Sequence, residues 1–312
     1  MLTLGVETSC DETSVAVIDE QMQILSNVII SQIDIHKQYG GVVPEIASRK
    51  HITNIMPVLD DALRNAKVKI TDIDQVAATT QPGLPGAVMV GRVFGYSLAG
   101  ALNVPFVPVN HLHGHIASLK LSNPDLQPPM LCLLVSGGHT LVYLIDEHWQ
   151  TQLLVTTADD AIGEAFDKVA RVLGMPYPGG PQIARMAVGQ TDFVPFISKF
   201  PKDNFSYSGL KTAVLNYVNR ERQLGHQLNV PQICANFQYC AVSQLLTKCK
   251  ALLKQYRVPS LGICGGVSAN QYLREEFANL CAELGVKLYL PKPELCGDNA
   301  AMIAAAARLN IK

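Results

Sequence analysis

The pattern of apolar and polar positions predicts the same strand–turn–strand unit at two places in the chain. Near the start, an apolar run at residues 2–6 meets a polar loop at 7–14, and a second apolar run covers 15–18. Residues 130–146 repeat this order, with an apolar run, the polar turn at 136–140 and a second apolar run ending in Ile-Asp. Runs of this length bounded by polar turns are typical of buried strands. A duplicated architecture, with one copy opening each half, or two unrelated hairpins would both give this pattern.

The remainder of each half alternates between helical and strand-like spacing. Apolar positions recur at helical intervals in residues 45–67 and 232–256, and the alanine-rich tail is also helical in character. Short apolar runs, typical of buried strands, cover residues 75–80, 104–109, 260–266 and 286–291. The polar stretch at about 191–230 is predicted to be an inserted helical segment. This alternation predicts an α/β fold with sheets covered by helices.

Composition narrows the class of protein. A chain of 312 residues suggests about two domains, and 48% hydrophobic with 16% charged residues is typical of a folded core. The eight cysteines form no Cys-x-x-Cys pair, so we expect buried, reduced thiols. We expect neither a signal peptide nor a membrane span, because the N-terminus lacks a basic region and no apolar run reaches about 18 residues. The net charge of −1 disfavours RNA binding by charge alone.

Three histidines follow the strand at 104–109. His111 and His115 are spaced i,i+4 and would share one face of a helix, so they can bind one metal ion, whereas His113 would point elsewhere. The alternative is that they only cap the helix. Residue 112 is leucine, so the glutamate that zincin peptidases use as a general base is absent.

Glycine turns and acidic residues supply further candidates. SGGH at 136–139, GGP at 179–181 and GGVSAN at 265–270 could each let a backbone cradle a phosphate, or could simply turn the chain. The acids that could act in a site are Glu7, Asp11, Glu12, Glu164, Asp167 and Asp298, although Asp167 could be solvated and Asp298 could be only a helix cap. Basic residues that could contact RNA phosphates, or lie on solvated faces, are Arg49, Lys50, His51, Lys199, Lys202, Lys211, Arg220 and Arg222.

Long motifs then give a resemblance that extends from residue 2 to about 308. The chain resembles the catalytic subunit of tRNA N6-threonylcarbamoyladenosine synthase (bacterial TsaD type), formerly described as O-sialoglycoprotein endopeptidase. The motifs that carry the resemblance are GVETSCDETSVAV, YGGVVPEIASRKH, NHLHGH, LLVSGGHT, GEAFDKVARVLGMPYPGGP, SYSGLKTAV, GGVSAN and GDNAAMIA.

The resemblance implies a duplicated actin-like, Hsp70-like ATPase fold with two related domains and mixed sheets covered by helices. We expect one domain over residues 1–110, to which part of the C-terminal helix returns, and a second over 111–312 with the insertion. The resemblance also implies one divalent metal, most often iron with zinc or magnesium as alternatives, held by His111, His115 and Asp298. It implies contacts to threonylcarbamoyl-AMP, and to ATP or ADP, from Leu134, Val135, Ser136, Gly137, Gly138, Asp167, Gly180 and Asn270.

Two positions depart from the family pattern. Ala184 replaces an acid that some members carry, which removes one ribose or adenine contact. His113 stands where many bacterial members have glutamate, which changes the local charge. Neither departure involves an implied metal ligand.

The implied reaction transfers the threonylcarbamoyl group to N6 of the adenosine beside the anticodon (position 37) in tRNAs that read ANN codons. Asp11 and Glu12 are candidates for accepting the amine proton. The implied partners are tRNA, an inactive paralogue (TsaB type) and a small ATPase (TsaE type), in the cytoplasm. The alternatives are a metallopeptidase and a nucleotide-gated module or kinase of the same fold.

Overall fold

The computed structural model describes residues 1–196 and 203–311, which form two compact units. Unit 1 contains Met1–Gln127, His148–Gln150 and the described residues from Leu290 onward. Unit 2 contains the described parts of Pro128–Glu147 and Thr151–Tyr289. Both ends of the chain therefore contribute to unit 1.

A five-stranded mixed sheet forms the centre of unit 1, in the order β3-β2-β1-β4-β5. The first three strands are antiparallel neighbours, and β1, β4 and β5 run parallel. Apolar residues that alternate along β1 and β2 pack against the apolar face of the second helix and form the core of this unit. The strands are β1 Thr3–Glu7, β2 Glu12–Ile18, β3 Ile24–Ser31, β4 Gln75–Gln81 and β5 Phe106–Asn110.

The helices of unit 1 begin and end at residues suited to those positions. The second and third helices each start with a proline, whose fixed φ suits the first turn, and the third ends at Asn103 in the left-handed region. Pro57 lies inside the second helix without ending it. The helices are α1 Ile33–His36, α2 Pro44–Ala66, α3 Pro85–Leu102, α4 His111–Ser122 and α10 Ala300–Leu309.

Unit 2 repeats the same sheet topology. Its strand order is β10-β9-β6-β7-β8, with an antiparallel β6-β7-β8 meander and parallel β6, β9 and β10. The strands are β6 Met130–Val135, β7 Thr140–Ile145, β8 Thr151–Val155, β9 Ser260–Cys264 and β10 Lys287–Tyr289. The repeated hairpin in the sequence therefore reflects a duplicated architecture, and two unrelated hairpins are excluded.

Helices cover the second sheet. They are α5 Ile162–Val172, α6 Gly179–Met186, α7 Ser208–Gln223, α8 Val230–Tyr256 and α9 Gln271–Leu284. The polar segment predicted as an insertion contains α7, a helix of 16 residues. Lys199 and Lys202, two of the basic candidates, lie outside the described residues.

The last helix packs directly on the first strand. A Cβ built on Gly5 would lie 2.2 Å from the carbonyl oxygen of Ala300, so only glycine allows this approach. Seven alanine, methionine and isoleucine residues of α10, from Ala300 to Ala306, are buried. This close contact fixes the residues just before α10 relative to β1.

The observed units differ from the expected division after residue 110. Helix α4 follows β5 without a linker and packs on α10, so it belongs to unit 1 together with residues to 127. Helix α10 belongs to unit 1. All eight cysteines are free thiols, and all but Cys10 are buried. In the part of the chain that the structure describes, no helix combines the length and apolar character needed to cross a membrane.

Candidate metal centre and ligand turns

His111 and His115 lie on one face of α4 and point toward Asp298. Asn110 caps the helix by accepting a hydrogen bond from the Leu112 backbone N–H, so His111 itself is not the cap. One ligand atom from each of the two histidines and from Asp298 lies within 4.8 Å of the others. The Nε2 atoms of His111 and His115 are 3.5 and 3.2 Å from the same carboxylate oxygen, Oδ1 of Asp298.

Asp298 is positioned by the start of α10. The capping residue of this helix is Asn299, whose side chain accepts a hydrogen bond from the Met302 N–H. The interpretation of Asp298 as a helix cap is therefore wrong. Because Asn299 takes the cap, the neighbouring carboxylate faces the two imidazoles instead.

Glu7 and Ser9 orient His111 from the opposite side. The Nδ1 atom of His111 lies 3.0 Å from Oε2 of Glu7 and 3.1 Å from Oγ of Ser9, and Thr79 donates to the same glutamate oxygen at 2.6 Å. Since a carboxylate only accepts, Nδ1 carries a proton, and Nε2 is the nitrogen that faces Asp298. A carboxylate behind a histidine is the usual support for a metal ligand. Sequence reasoning noted Glu7 only as one of several acids and missed Ser9.

The electrostatics of the cluster favour a cation. Burial by itself would lower the pKa of His111, but the carboxylates of Asp298 and Glu7 raise it to about 9. Burial would raise the pKa of Glu7, and His111 lowers it below the ordinary value. Two carboxylates around one imidazole therefore stabilise positive charge.

His115 provides the observation that tests whether a metal fits. Its side chain is fully buried, and neither ring nitrogen makes a hydrogen bond of suitable geometry among the described residues, although Nε2 lies 3.2 Å from Oδ1 of Asp298. Burying a polar atom without a partner lowers the stability of the folded protein, and a metal ion bound at Nε2 would give that nitrogen a partner. Two imidazoles and a carboxylate are a common donor set for iron or zinc with open positions. The cluster therefore fits a divalent cation.

His113 does not join this cluster. It lies two residues from each candidate ligand and hydrogen-bonds the backbone of Ile311, in agreement with the expected direction of its side chain. Burial is the main reason that its pKa is lowered.

The predicted ligand turns lie in unit 2. The turn after β6 is closed by hydrogen bonds between Ser136 and His139, while a Cβ added at Gly137 or Gly138 would have no protein atom within 4 Å. The space beside these two glycines is open. Gly265 has φ +90°, and its added Cβ would lie 2.4 Å from the Val135 carbonyl oxygen, so the turn after β9 abuts the end of β6.

Asp167 and Asn270 both have structural contacts. Asp167 accepts a hydrogen bond from the Gly179 N–H at 2.6 Å, which connects α5 to the first residue of α6. Asn270 caps α9 through the Leu273 N–H and donates to Gln238 at 2.8 Å. Asp167 is therefore not merely a solvated helix residue, and the link between Asn270 and Gln238 was not foreseen. Ala184 lies on α6 without a polar side chain.

One of the basic candidates is excluded as an RNA contact. His51 is fully buried, although its neighbours Arg49 and Lys50 made it look like part of a basic surface run. Lys211 pairs with Asp160 at 2.7 Å, and Arg222 donates to the Val172 carbonyl.

Comparison with known proteins identifies the family. The family model for TsaD, tRNA N6-adenosine threonylcarbamoyltransferase, matches residues 23–305. A tRNA N6-adenosine threonylcarbamoyltransferase of Caldicellulosiruptor bescii is 46% identical over 314 aligned residues, covering 100% of this chain and 94% of that protein. The chain belongs to this family.

Solved structures support the fold that the family implies. HypF of T. kodakarensis superposes with a TM-score of 0.67 at 12% identity, covering 99% of this chain and 47% of that one. A ROK hexokinase from Thermus thermophilus superposes with a TM-score of 0.52 at 13% identity, covering 99% and 97%. Together with the two mixed sheets of equal topology, these matches confirm the duplicated actin-like fold of this family member.

Proposed function

We propose that this protein transfers the threonylcarbamoyl group from threonylcarbamoyl-AMP to N6 of the adenosine beside the anticodon in tRNAs that read ANN codons, with release of AMP. The observation that carries the proposal is the cluster of the buried His111 and His115 with the partly buried Asp298, in which Glu7 contacts His111 from the opposite side. Family membership supplies the substrate class. A peptidase is disfavoured because the residue after His111 is leucine, not the general-base glutamate.

We further propose that the cluster holds one Fe²⁺ ion, with Zn²⁺ or Mg²⁺ as alternatives. Two neutral imidazoles and one carboxylate suit iron or zinc better than magnesium, which prefers oxygen ligands. A bound divalent ion would orient and polarise the threonylcarbamoyl group as a Lewis acid. The protein contributes a preorganised donor set, because Glu7 fixes the orientation of His111.

The turn after β6 is proposed to bind the adenylate, and the same face could accept ATP or ADP. Residues 134–138 would approach the ligand through backbone N–H groups, and Gly137 and Gly138 leave the necessary space. Asp167, Gly180 and Asn270 would supply further contacts. Gly180 is suited to this role because an added Cβ would be near only Phe166, at 3.9 Å.

At the carbamoyl carbon the reaction forms one bond and breaks one, and the amine also gives up one proton. The N6 amine attacks the carbamoyl carbon, the bond from that carbon to the phosphate oxygen breaks, and AMP leaves. The amine is weakly nucleophilic because its lone pair is delocalised into the base, so positioning and a proton acceptor are both needed. The anticodon loop is single-stranded, which allows the base to be unstacked.

Of the two acids after β1, Asp11 is the better proton acceptor. Burial and the adjacent carboxylate of Asp11 raise the pKa of Glu12 well above its ordinary value, which makes Glu12 the weaker candidate for a charged base. The Oδ2 atom of Asp11 is buried and has no hydrogen-bond partner in the part of the chain that the structure describes, so its lone pairs are available. We therefore assign proton acceptance to Asp11, while Glu12 accepts a hydrogen bond from the Ser31 hydroxyl at 3.0 Å.

A transfer assay with threonylcarbamoyl-AMP and an unmodified ANN-reading tRNA tests the function. We expect threonylcarbamoyladenosine and AMP in equal amounts, and transfer of the ATP γ-phosphate to a soluble acceptor would instead indicate a kinase. Cleavage of a glycoprotein by the metal-loaded protein would instead support a metallopeptidase function. The change Asp11→Asn should reduce the rate more than Glu12→Gln, since only the first removes a proton acceptor; equal effects would contradict the assignment.

Replacing Asp167 by alanine should weaken adenylate binding by about 10- to 150-fold, which corresponds to about 1.5–3 kcal/mol for a hydrogen bond to a charged group. Asp167→Asn is the matched control, because its amide oxygen can still accept from Gly179 while the charge is lost. We expect an intermediate affinity for it by calorimetric titration with a non-hydrolysable adenylate analogue. Normal binding by the alanine variant would show that Asp167 only connects α5 to α6.

The proposal includes partner proteins and a location. The net charge of −1 provides little general attraction for tRNA, so a second protein is expected to help hold it. By family resemblance the partners are an inactive paralogue (TsaB type) and a small ATPase (TsaE type), acting in the cytoplasm. Multiple turnover by the isolated chain, at a rate that these proteins leave unchanged, would exclude the need for them.

A further inference from the structure

We propose that His51 is a positioning residue that fixes the segment from Cys10 to Thr13, and with it Asp11 and Glu12, through two hydrogen bonds from one buried imidazole. This inference rests on the proposed function, in which Asp11 and Glu12 act on the amine. It gives a role to a residue whose sequence context suggested a surface contact.

The imidazole of His51 reaches both ends of the acidic segment. His51 lies on α2 and is fully buried. Its Nε2 atom is 2.9 Å from the carbonyl oxygen of Cys10, and its Nδ1 atom is 2.8 Å from the hydroxyl of Thr13. Asp11 and Glu12 are the two residues between these contacts, so one rigid ring spans Asp11 and the first residue of β2, Glu12.

The chemistry of the partners determines the tautomer. A carbonyl oxygen only accepts, so Nε2 must carry the proton and donate to Cys10, which leaves Nδ1 to accept from the Thr13 hydroxyl. Burial lowers the pKa of His51, which keeps the ring neutral, as this pattern requires. Neither lysine nor arginine could provide one donor and one acceptor at these positions.

Other elements also hold the backbone of this segment, since Glu12 and Thr13 pair with Ser31 and Ile30 of β3. On the N-terminal side, Thr8 donates to the Ala87 carbonyl at 2.8 Å and the Ser9 carbonyl accepts from Leu84 at 2.8 Å. The carbonyl of Asp11 accepts from the Gln32 N–H at 3.0 Å. The Oδ2 atom of Asp11 has no hydrogen-bond partner in the described residues, and the recorded side-chain hydrogen bonds of this carboxylate are to Cys10 and Glu12, within the same segment. The position of the carboxylate therefore depends on how firmly this segment is held.

Substitutions of His51 distinguish a role for its two hydrogen bonds in positioning the segment from a role in which the ring only fills space in the core. His51→Phe retains a buried ring and removes both hydrogen bonds, and we expect kcat for transfer to fall by about 100-fold, since a displacement of about 1 Å at a reacting group can cost this much. The KM for the adenylate and the metal content should not change. His51→Gln places an amide nitrogen near the position of Nε2, restores donation to Cys10, and should recover most of kcat. Thr53→Ala, an exposed change on the same helix, is the control.

Three outcomes would overturn the proposal. They are wild-type kcat in His51→Phe, a loss in His51→Gln as large as that in His51→Phe, or an effect confined to KM or metal content. If His51→Phe does not fold, Thr13→Val gives the same test from the other partner, because it removes the hydroxyl and keeps the shape; it should lower kcat and leave the KM for the adenylate unchanged.

A measurement without turnover keeps this inference distinct from the proposed function. Nitrogen-15 NMR of the histidine-labelled full chain should show His51 as a neutral ring with its proton on Nε2, and amide exchange at residues 10–13 should be faster in His51→Phe. A proton on Nδ1, or an imidazolium at neutral pH, would refute the hydrogen-bond assignment. Failure of the wild-type protein to transfer threonylcarbamoyl would refute the function while the NMR result still decides the role of His51 in the turn.

Discussion

Replacing His111 and His115 together by alanine should lower bound metal from about one ion per chain to near zero, and transfer activity should be lost with it. The two side chains provide two of the three atoms that lie within 4.8 Å of one another. A single remaining carboxylate, with 20% of its side chain exposed, cannot hold a divalent ion against water. Elemental analysis of protein purified from iron-supplemented cells measures the occupancy directly.

His113→Ala is the matched control for this experiment. It removes an imidazole from the same turn of α4, but that imidazole hydrogen-bonds the backbone of Ile311 and lies outside the cluster. We expect it to retain the metal. If the double variant kept the wild-type metal content, or if His113→Ala lost it, the metal site would have to be placed elsewhere.

Gly137→Val should abolish binding of the adenylate while leaving the protein folded and its metal bound. An added Cβ at this position has no protein atom within 4 Å, so the valine side chain occupies space that the fold leaves open. If that space belongs to the ligand, the two branches of valine exclude it and cover the backbone N–H groups of the turn. Calorimetric titration with a non-hydrolysable adenylate analogue should then show no heat of binding.

Gly100→Val tests whether the effect is specific to the turn. Gly100 lies near the end of α3, and an added Cβ there is equally free of contacts. We expect this variant to bind the analogue as the wild-type protein does. Normal binding by Gly137→Val would show that the turn after β6 does not line the pocket.

Local sequence patterns predicted the structural features that depend on residues close to one another in the chain. The two hairpins follow from alternating runs at 2–18 and 130–146, because antiparallel strands joined by a short turn pair with each other. The pairing of His111 with His115 follows from helical spacing alone. Asp298 could only come from the family resemblance, since no local rule connects a residue before the last helix to α4.

The contacts missed by sequence reasoning join distant segments. Glu7 reaches His111 across 104 positions of the chain, and Asn270 meets Gln238 on another helix. His51 follows two basic residues, and this local composition predicted an exposed side chain. The helix instead places the side chain in the interior, where it is fully buried. The expected boundary after residue 110 lacked a physical marker, since α4 continues from β5 without a glycine- or proline-rich linker.

The return of the chain to unit 1 has a consequence for biosynthesis. The ribosome synthesises residues 290–311 only after all of unit 2. Until then, the surface of β1 at Gly5 lacks its contact with α10, and His111 and His115 lack Asp298. A nascent or prematurely terminated chain therefore lacks the third ligand and the helix that holds it in place. We therefore expect the proposed metal site to be completed only after Asp298 has been synthesised.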